Sequence, residues 1–214
     1  MKILAVEFSS ETRSVALVED ARVFGRAAEM GGRNTRSFAL IETALRQAGL
    51  EREVIECIAV GLGPGSYAGI RAAIALAQGW QLARDVHVLG MNSVECLAAQ
   101  AQADGIRQTI HFLIDAQRNE FYCGRAELGS EARVEPLRLI GVEEAGALPT
   151  ATLIVEPALL QRFPGARAMC PDAAMLGRLA ATRSDFVSAD RLEPVYLRAT
   201  SFVKAPPPRV IPPP

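Results

Sequence analysis

The sequence predicts an α/β fold of two subdomains, each built on a mixed β-sheet, with the second one reduced. Three observations predict it. Three β-type segments joined by short polar turns open the chain, at residues 2–8, 12–18 and 22–28. Apolar helical stretches then alternate with short β-branched strands up to residue 103. A second meander of the same kind begins near Thr109.

Residues 2–8 form an almost continuous apolar run, the pattern of a strand buried on both faces. The turns Ser9-Ser10-Glu11 and Glu19-Asp20 join it to the next two strands as an antiparallel meander. Gly31-Gly32 breaks the chain. Asn34 or Thr35 then caps a helix that ends at Gly49, a natural residue for the left-handed terminus. Its apolar face is Phe38, Ile41, Leu45 and Ala48. Strand 57–61, helix 67–84, strand 87–91 and helix 93–103 follow. The order βββ-α-β-α-β-α is ribonuclease-H-like and is shared by actin, sugar kinases and Hsp70.

In the second half, strand 110–114 ends at Asp115, and residues 117–119 turn with Asn119 tolerant of left-handed backbone. Residues 120–126 return as its partner and 133–140 add a third strand. A short strand at 152–155, a helix near 172–183 and an extended segment at 193–198 complete the set. The expected division is residues 1–104, 105–200 and a tail at 201–214. The tail holds six prolines in its last nine residues, a polyproline-like or disordered composition.

The most informative stretch is residues 61–71, GLGPGSYAGIR, with glycines at 61, 63, 65 and 69. Glycines between a strand and a helix let another group approach the backbone closely, and such loops often cradle phosphate. A P-loop fails for want of Lys-Ser or Lys-Thr after the last glycine. Gly63-x-Gly65-x-x-Ala68 matches the dinucleotide pattern, but the next strand ends in Met91-Asn92 without an acidic ribose ligand. Ser66 lacks the GxSxG context of a nucleophile and reads as a helix N-cap.

The 214 residues carry 23 basic and 24 acidic side chains, so nothing marks the chain as a phosphate-backbone binder. The four cysteines are far apart, without CxxC, and read as small core residues in a reducing compartment. Glu7 interrupts the apolar N-terminus too early for a signal peptide, and no stretch has membrane-spanning length, so the expectation is a cytoplasmic protein. With only His87 and His111, a histidine metal site is not expected.

Four segments together resemble one family: ILAVEFSS at 3–10, GLGPGSYAGIR at 61–71, IDAQRNEFY at 114–122 and EPVYLR at 193–198. The resemblance is to the bacterial TsaB family, formerly YeaZ, in the group once labelled M22 glycoproteases. It covers nearly the whole chain apart from the tail. It implies an actin-like (ASKHA) fold and a part in making threonylcarbamoyladenosine beside the anticodon of tRNAs that read ANN codons. It also implies a non-catalytic scaffold or activator that pairs with a catalytic TsaD-like homologue and a TsaE-like ATPase. On this reading tRNA is met only through the complex. The chain has no cofactor of its own, ATP or ADP entering only at a complex interface, and the free protein is open to forming a homodimer.

Departures from the family pattern bear on chemistry. Glu7 stands where the first strand usually ends in Asp. Asn34 and Phe38 stand where the catalytic relative carries HxxxH metal ligands. Glu156-Pro-Ala158 replaces a glycine loop, which removes the expected adenosine pocket. Glu7, Ser10 and Asp115 are therefore vestigial phosphate-site candidates. The alternative is an independent actin-like nucleotide-binding phosphotransferase, with Glu7 and Asp115 as a carboxylate pair facing one cleft. The old protease label is opposed by the missing histidine pair.

The two helices argue for a scaffold in their own right. Ala68, Ala72, Ala75 and Gly79 form one stripe of small residues, Gly69 and Ala73 a second row, and Ile70, Ile74, Leu76 and Trp80 extend the apolar surface. Leu40 and Ala44 widen the first helix in the same way. The expected partner interface is Phe38, Leu40, Ile41, Ala44, Leu45, Gly69, Ala72, Ala73, Leu76, Gly79 and Trp80.

Overall fold

The computed structural model describes residues 1–31 and 36–197. The expectations for Asn34, Thr35, Arg198 and the proline tail lie outside these residues. The first sheet holds β1 (Ile3–Glu7), β2 (Thr12–Glu19), β3 (Arg22–Met30), β4 (Cys57–Gly61) and β5 (His87–Met91), in the order β3-β2-β1-β4-β5. β1, β2 and β3 are antiparallel, while β4 and β5 run parallel to β1. The second sheet holds β6 (Thr109–Asp115), β7 (Glu120–Leu128), β8 (Ala132–Val134), β9 (Arg138–Gly141), β10 (Leu153–Val155) and β11 (Arg167–Ala168). Its order is β11-β10-β6-β7-β8, with β9 also paired to β7. This repeats the first sheet with its third strand split in two and its last two strands cut to three and two residues. The fold is actin-like in two mixed-sheet subdomains, the second reduced.

Among the described residues five helices position the sheets: α1 (Ser37–Ala48), α2 (Tyr67–Ala83), α3 (Ser93–Ala103), α4 (Val142–Gly146) and α5 (Ala173–Ala180). β1 is buried on both faces, which explains its unbroken apolar run. Leu4 and Val6 pack under α1 and α2, while Ile3 and Ala5 pack against α5 on the other side. α1 ends at Gly49 in left-handed backbone, φ 64°, as its sequence required.

Several sequence expectations need correction. The described part of α1 begins at Ser37, with Arg36 before it and no side-chain cap. The third strand of the second meander is two short strands, and the helix expected at 172–183 spans only Ala173–Ala180. The expected boundary at residue 104 is not a packing boundary. α3, assigned to the first half, packs Val94, Leu97, Ala98 and Ala101 into the core of the second sheet. α5, assigned to the second half, packs Ala173, Leu176 and Ala180 on the first. The two helices meet between the sheets, so each half of the chain lends a helix to the other. Residues 187–195 also return to the first lobe: Val187 N donates to Val88 O and Val195 N to Leu62 O, both at 2.9 Å.

Candidate functional site

Two places collect the residues singled out by the sequence. One is the cleft between the lobes, the other a groove between α1 and α2.

The cleft is built on the turn after β1, the glycine loop after β4 and the turn after β6. It measures about 700 Å³ and is lined by Ser9, Ser10, Glu11, Arg13, Gly65, Ser66, Tyr67, Asp115, Glu156 and Tyr196, among others. Gly65 has φ 143°, and a Cβ there would overlap the carbonyl oxygen of Ser9, so only glycine lets the loop close over the β1–β2 turn. Ser66 N donates to that same carbonyl at 2.6 Å.

Glu7 is fully buried and does not line the cleft. Its Oε1 accepts from Ser9 N at 2.8 Å and its Oε2 accepts from Ser93 Oγ at 2.7 Å. A Cβ on Gly61 would overlap the carboxylate, so the first glycine of the loop makes room for it. Burial pushes the Glu7 carboxyl above its ordinary value, with hydrogen bonds from Ser9 and Ser93 and the charge of Arg13 opposing. The facing carboxylate pair of the alternative phosphotransferase reading is not formed: Asp115 lines the cleft, while β1 ends with the Glu7 carboxylate turned beneath the loop. Asp115 does line the cleft, and its two oxygens accept from Gln117 N and Gln117 Nε2 at 2.8 and 2.9 Å. Residues 117–119 all have left-handed backbone, φ 57–62°, which wraps this turn around the carboxylate. Ser10 Oγ donates to Thr12 O within its own turn.

Ser66 stands at the N-cap position of α2 but its hydroxyl does not cap. It accepts instead from Arg13 Nη2 at 2.7 Å. Arg13 was missed in the sequence, where it reads as one more polar residue of a strand. Glu156 also lines the cleft, and its carboxyl is pushed up to about 7 by burial and by the neighbouring Glu11 and Asp115, against the pull of Arg13. Among the described residues no group of three or more acidic, histidine or cysteine side chains is placed to hold a metal ion. No helix among them is long and apolar enough to cross a membrane. The four cysteines are free; Cys57, Cys96 and Cys123 are buried, and burial lifts the Cys57 thiol to about 12.

The second place is a groove of about 620 Å³ between α1 and α2. Phe38, Ile41 and Leu45 line it from α1, and Ala72, Ala75, Leu76, Gly79, Trp80 and Ala83 from α2, with Glu42, Arg52 and Arg84 at its rim. Phe38 is 69 % exposed. Gly79 is an exposed glycine in a helix interior, and a Cβ added to it would meet nothing within 4 Å.

The structure divides the expected interface residues. Phe38, Ile41, Leu45, Ala72, Leu76, Gly79 and Trp80 line the groove. Leu40, Ala44, Gly69 and Ala73 do not. Leu40, Ala44 and Ala73 belong to the core of the first lobe, and the Ala44 carbonyl rests where a Cβ on Gly25 would be. A Cβ on Gly69 would overlap the Phe8 carbonyl oxygen and the Arg13 guanidinium. The reason is the close seating of both helices on the sheet, which consumes the second row of small residues within the chain itself.

The family model described as TsaD, tRNA N6-adenosine threonylcarbamoyltransferase, matches residues 34–189. The tRNA threonylcarbamoyladenosine biosynthesis protein TsaB of Escherichia coli K12 is 30% identical over 123 residues, 57% of this chain and 53% of that protein. Its counterpart from Bacillus subtilis 168 is 29% identical over 127 residues, 58% of this chain and 54% of that one. The chain thus spans about half the length of the curated relatives it matches. A crystal structure of a Pseudomonas aeruginosa protein, described as similar to peptidase YEAZ, aligns with TM-score 0.77 and 27% identity, over 92% of this chain and 99% of that one. A structure titled YeaZ, also from Pseudomonas aeruginosa, gives TM-score 0.76 at the same identity and coverage. The chain belongs to the TsaB/YeaZ family, within the wider TsaD family whose model it matches.

Proposed function

We propose that the chain acts in tRNA threonylcarbamoyladenosine biosynthesis as a non-catalytic scaffold or activator subunit, and that the α1/α2 groove receives a TsaD-like catalytic homologue. The groove carries this reading. Phe38 stands free at one end, Trp80 lines it, and Gly79 keeps an open place in mid-helix where alanine would be about 1 kcal/mol better in an isolated helix. Such a glycine is explained by another backbone coming close. An apolar groove rimmed by Glu42, Arg52 and Arg84 has the composition of a protein interface.

The cleft supports the non-catalytic half of the reading. The two carboxylates that a phosphotransferase would aim at a metal–phosphate group are spent locally, Glu7 on Ser9 and Ser93, Asp115 on Gln117. In this reading a TsaE-like ATPase and tRNA are engaged through the assembled complex, and any nucleotide is held at an interface rather than by this chain alone. The cytoplasm is where such a tRNA-modifying complex works.

The test is co-purification of the full chain with a TsaD-like homologue from the same genome, followed by size exclusion. A stoichiometric complex that forms threonylcarbamoyladenosine, with the chain alone inactive, is the expected result. Threonylcarbamoyl transfer by the chain alone overturns the non-catalytic assignment. Normal activity of the homologue without it removes the scaffold role.

A further inference from the structure

Seventeen residues, 198–214, follow the last described position, Leu197. They carry six prolines, all within 206–214, together with Phe202, Val203, Val210 and Ile211 and no acidic side chain. Proline fixes φ at about −65°, which pre-sets polyproline II geometry at little entropic cost. Segments of this composition dock in apolar grooves lined by aromatic rings.

The α1/α2 groove is such a surface, and the chain leaves the body near its mouth. Tyr196 sets its ring 5.5 Å from that of Tyr67, the first residue of α2. The two helices end together: Arg84 Nη2, just past α2, donates to Glu53 O, just past α1, at 2.9 Å. Phe38, at the start of α1, and Ala72 therefore form the near end of the groove, and Arg52 and Arg84 the far end.

The lengths agree. At about 1.5 Å per residue, Ala72 lies about 7 Å along α2 from Tyr67, and the groove runs about 18 Å from Ala72 to Arg84. At about 3.1 Å per residue in polyproline II, residues 206–214 span about 28 Å, and residues 198–205 are long enough to bring them to the near end. The stripe Ala68, Ala72, Ala75 and Gly79 leads from the cleft into the groove with no side chain larger than a methyl in the way. Rim charge does not drive the contact, since Arg52 and Arg84 stand there with Glu42 and the segment is itself basic. The fit is apolar.

We propose that residues 206–214 lie in the α1/α2 groove of their own chain, and that a partner entering the groove must displace them. The displacement rests on the groove being the partner's seat; the docking does not.

The test compares the full chain with a full-length variant in which each of the six prolines at 206–214 becomes serine, a change outside the described body. Trp80 is the chain's one tryptophan and lines the groove, so its emission reports occupancy. In the variant that emission should move to longer wavelength and the Ala75 amide resonance should shift, equally at low and high protein concentration. Both changes should persist in high salt, because the contact is apolar. In a Gly79→Arg background, where the groove is already blocked, the serine changes should leave both signals unmoved. No change in either signal on replacing the prolines overturns the proposal. A change that fades on dilution places the segment in a second copy's groove and overturns docking within the chain. The serine variant should bind the TsaD-like homologue about threefold or more tightly, as removal of a competing occupant requires. Equal affinity overturns the displacement. If the homologue binds neither form, the scaffold reading fails, while the Trp80 comparison still decides the docking.

Discussion

Ser93 donates from its Oγ to Glu7 Oε2 at 2.7 Å, tying the start of α3 to the end of β1. The same hydroxyl oxygen accepts from Gly63 N at 3.1 Å. One buried carboxylate thus joins the β1–β2 turn, the glycine loop and the helix that crosses to the second sheet. Glu7 serves as a structural node.

Removing that node leaves two buried donors, Ser9 N and Ser93 Oγ, without their acceptor. Glu7→Ala should destabilise the chain by about 2–4 kcal/mol, whereas Glu7→Gln, which keeps an acceptor and removes a buried charge, should cost under about 1 kcal/mol. Urea unfolding of both variants measures this. Equal losses would show that the carboxylate is not bonded as described.

The two glycines of α2 should respond in opposite directions. Gly79→Ala should stabilise the free chain by about 0.5–1 kcal/mol, since the added methyl meets open space and the helix gains propensity. Gly69→Ala should destabilise by about 3 kcal/mol or more, because the methyl would overlap the Phe8 carbonyl. Thermal unfolding separates them, and a tolerant Gly69 would mean that α2 sits further from the sheet.

Glu156 gives stability a pH dependence. Its carboxyl is raised to about 7 in the folded chain from the ordinary value of 4.5, so the folded state holds the proton more tightly than the unfolded state. Its contribution is neutral below about 4.5, becomes unfavourable as pH rises between the two values, and is constant above 7. Glu156→Gln should therefore stabilise by on the order of 2 kcal/mol at pH 8 and leave stability nearly unchanged at pH 4.5. A gain of equal size at both pH values would point to packing rather than charge.

Much of the fold was legible because the sequence repeats its own pattern. The meanders, the alternation of strand and helix, and Gly49 as a helix end all follow from local periodicity and turn chemistry. The exchange of α3 and α5 between lobes was not legible. Both helices are rich in apolar residues, and local periodicity does not say which sheet each covers. The interface was half legible for a similar reason. Small residues at helical spacing mark close approach, but not whether the approaching backbone is the chain's own. Gly69 and Gly79 look alike in sequence, yet one faces Phe8 and the other faces open space. Arg13 was invisible because its role depends on Ser66, fifty-three residues away.

The most direct test of the scaffold account is the affinity of the full chain for the TsaD-like homologue, measured by calorimetry for wild type and for Gly79→Arg. The substitution lies in open space on an exposed helix position, so the fold should be kept, as circular dichroism would verify. The account predicts a loss of about a hundredfold or more in affinity, from the clash and the charge placed in an apolar groove. A folded Gly79→Arg chain that binds the homologue as tightly as wild type would contradict it.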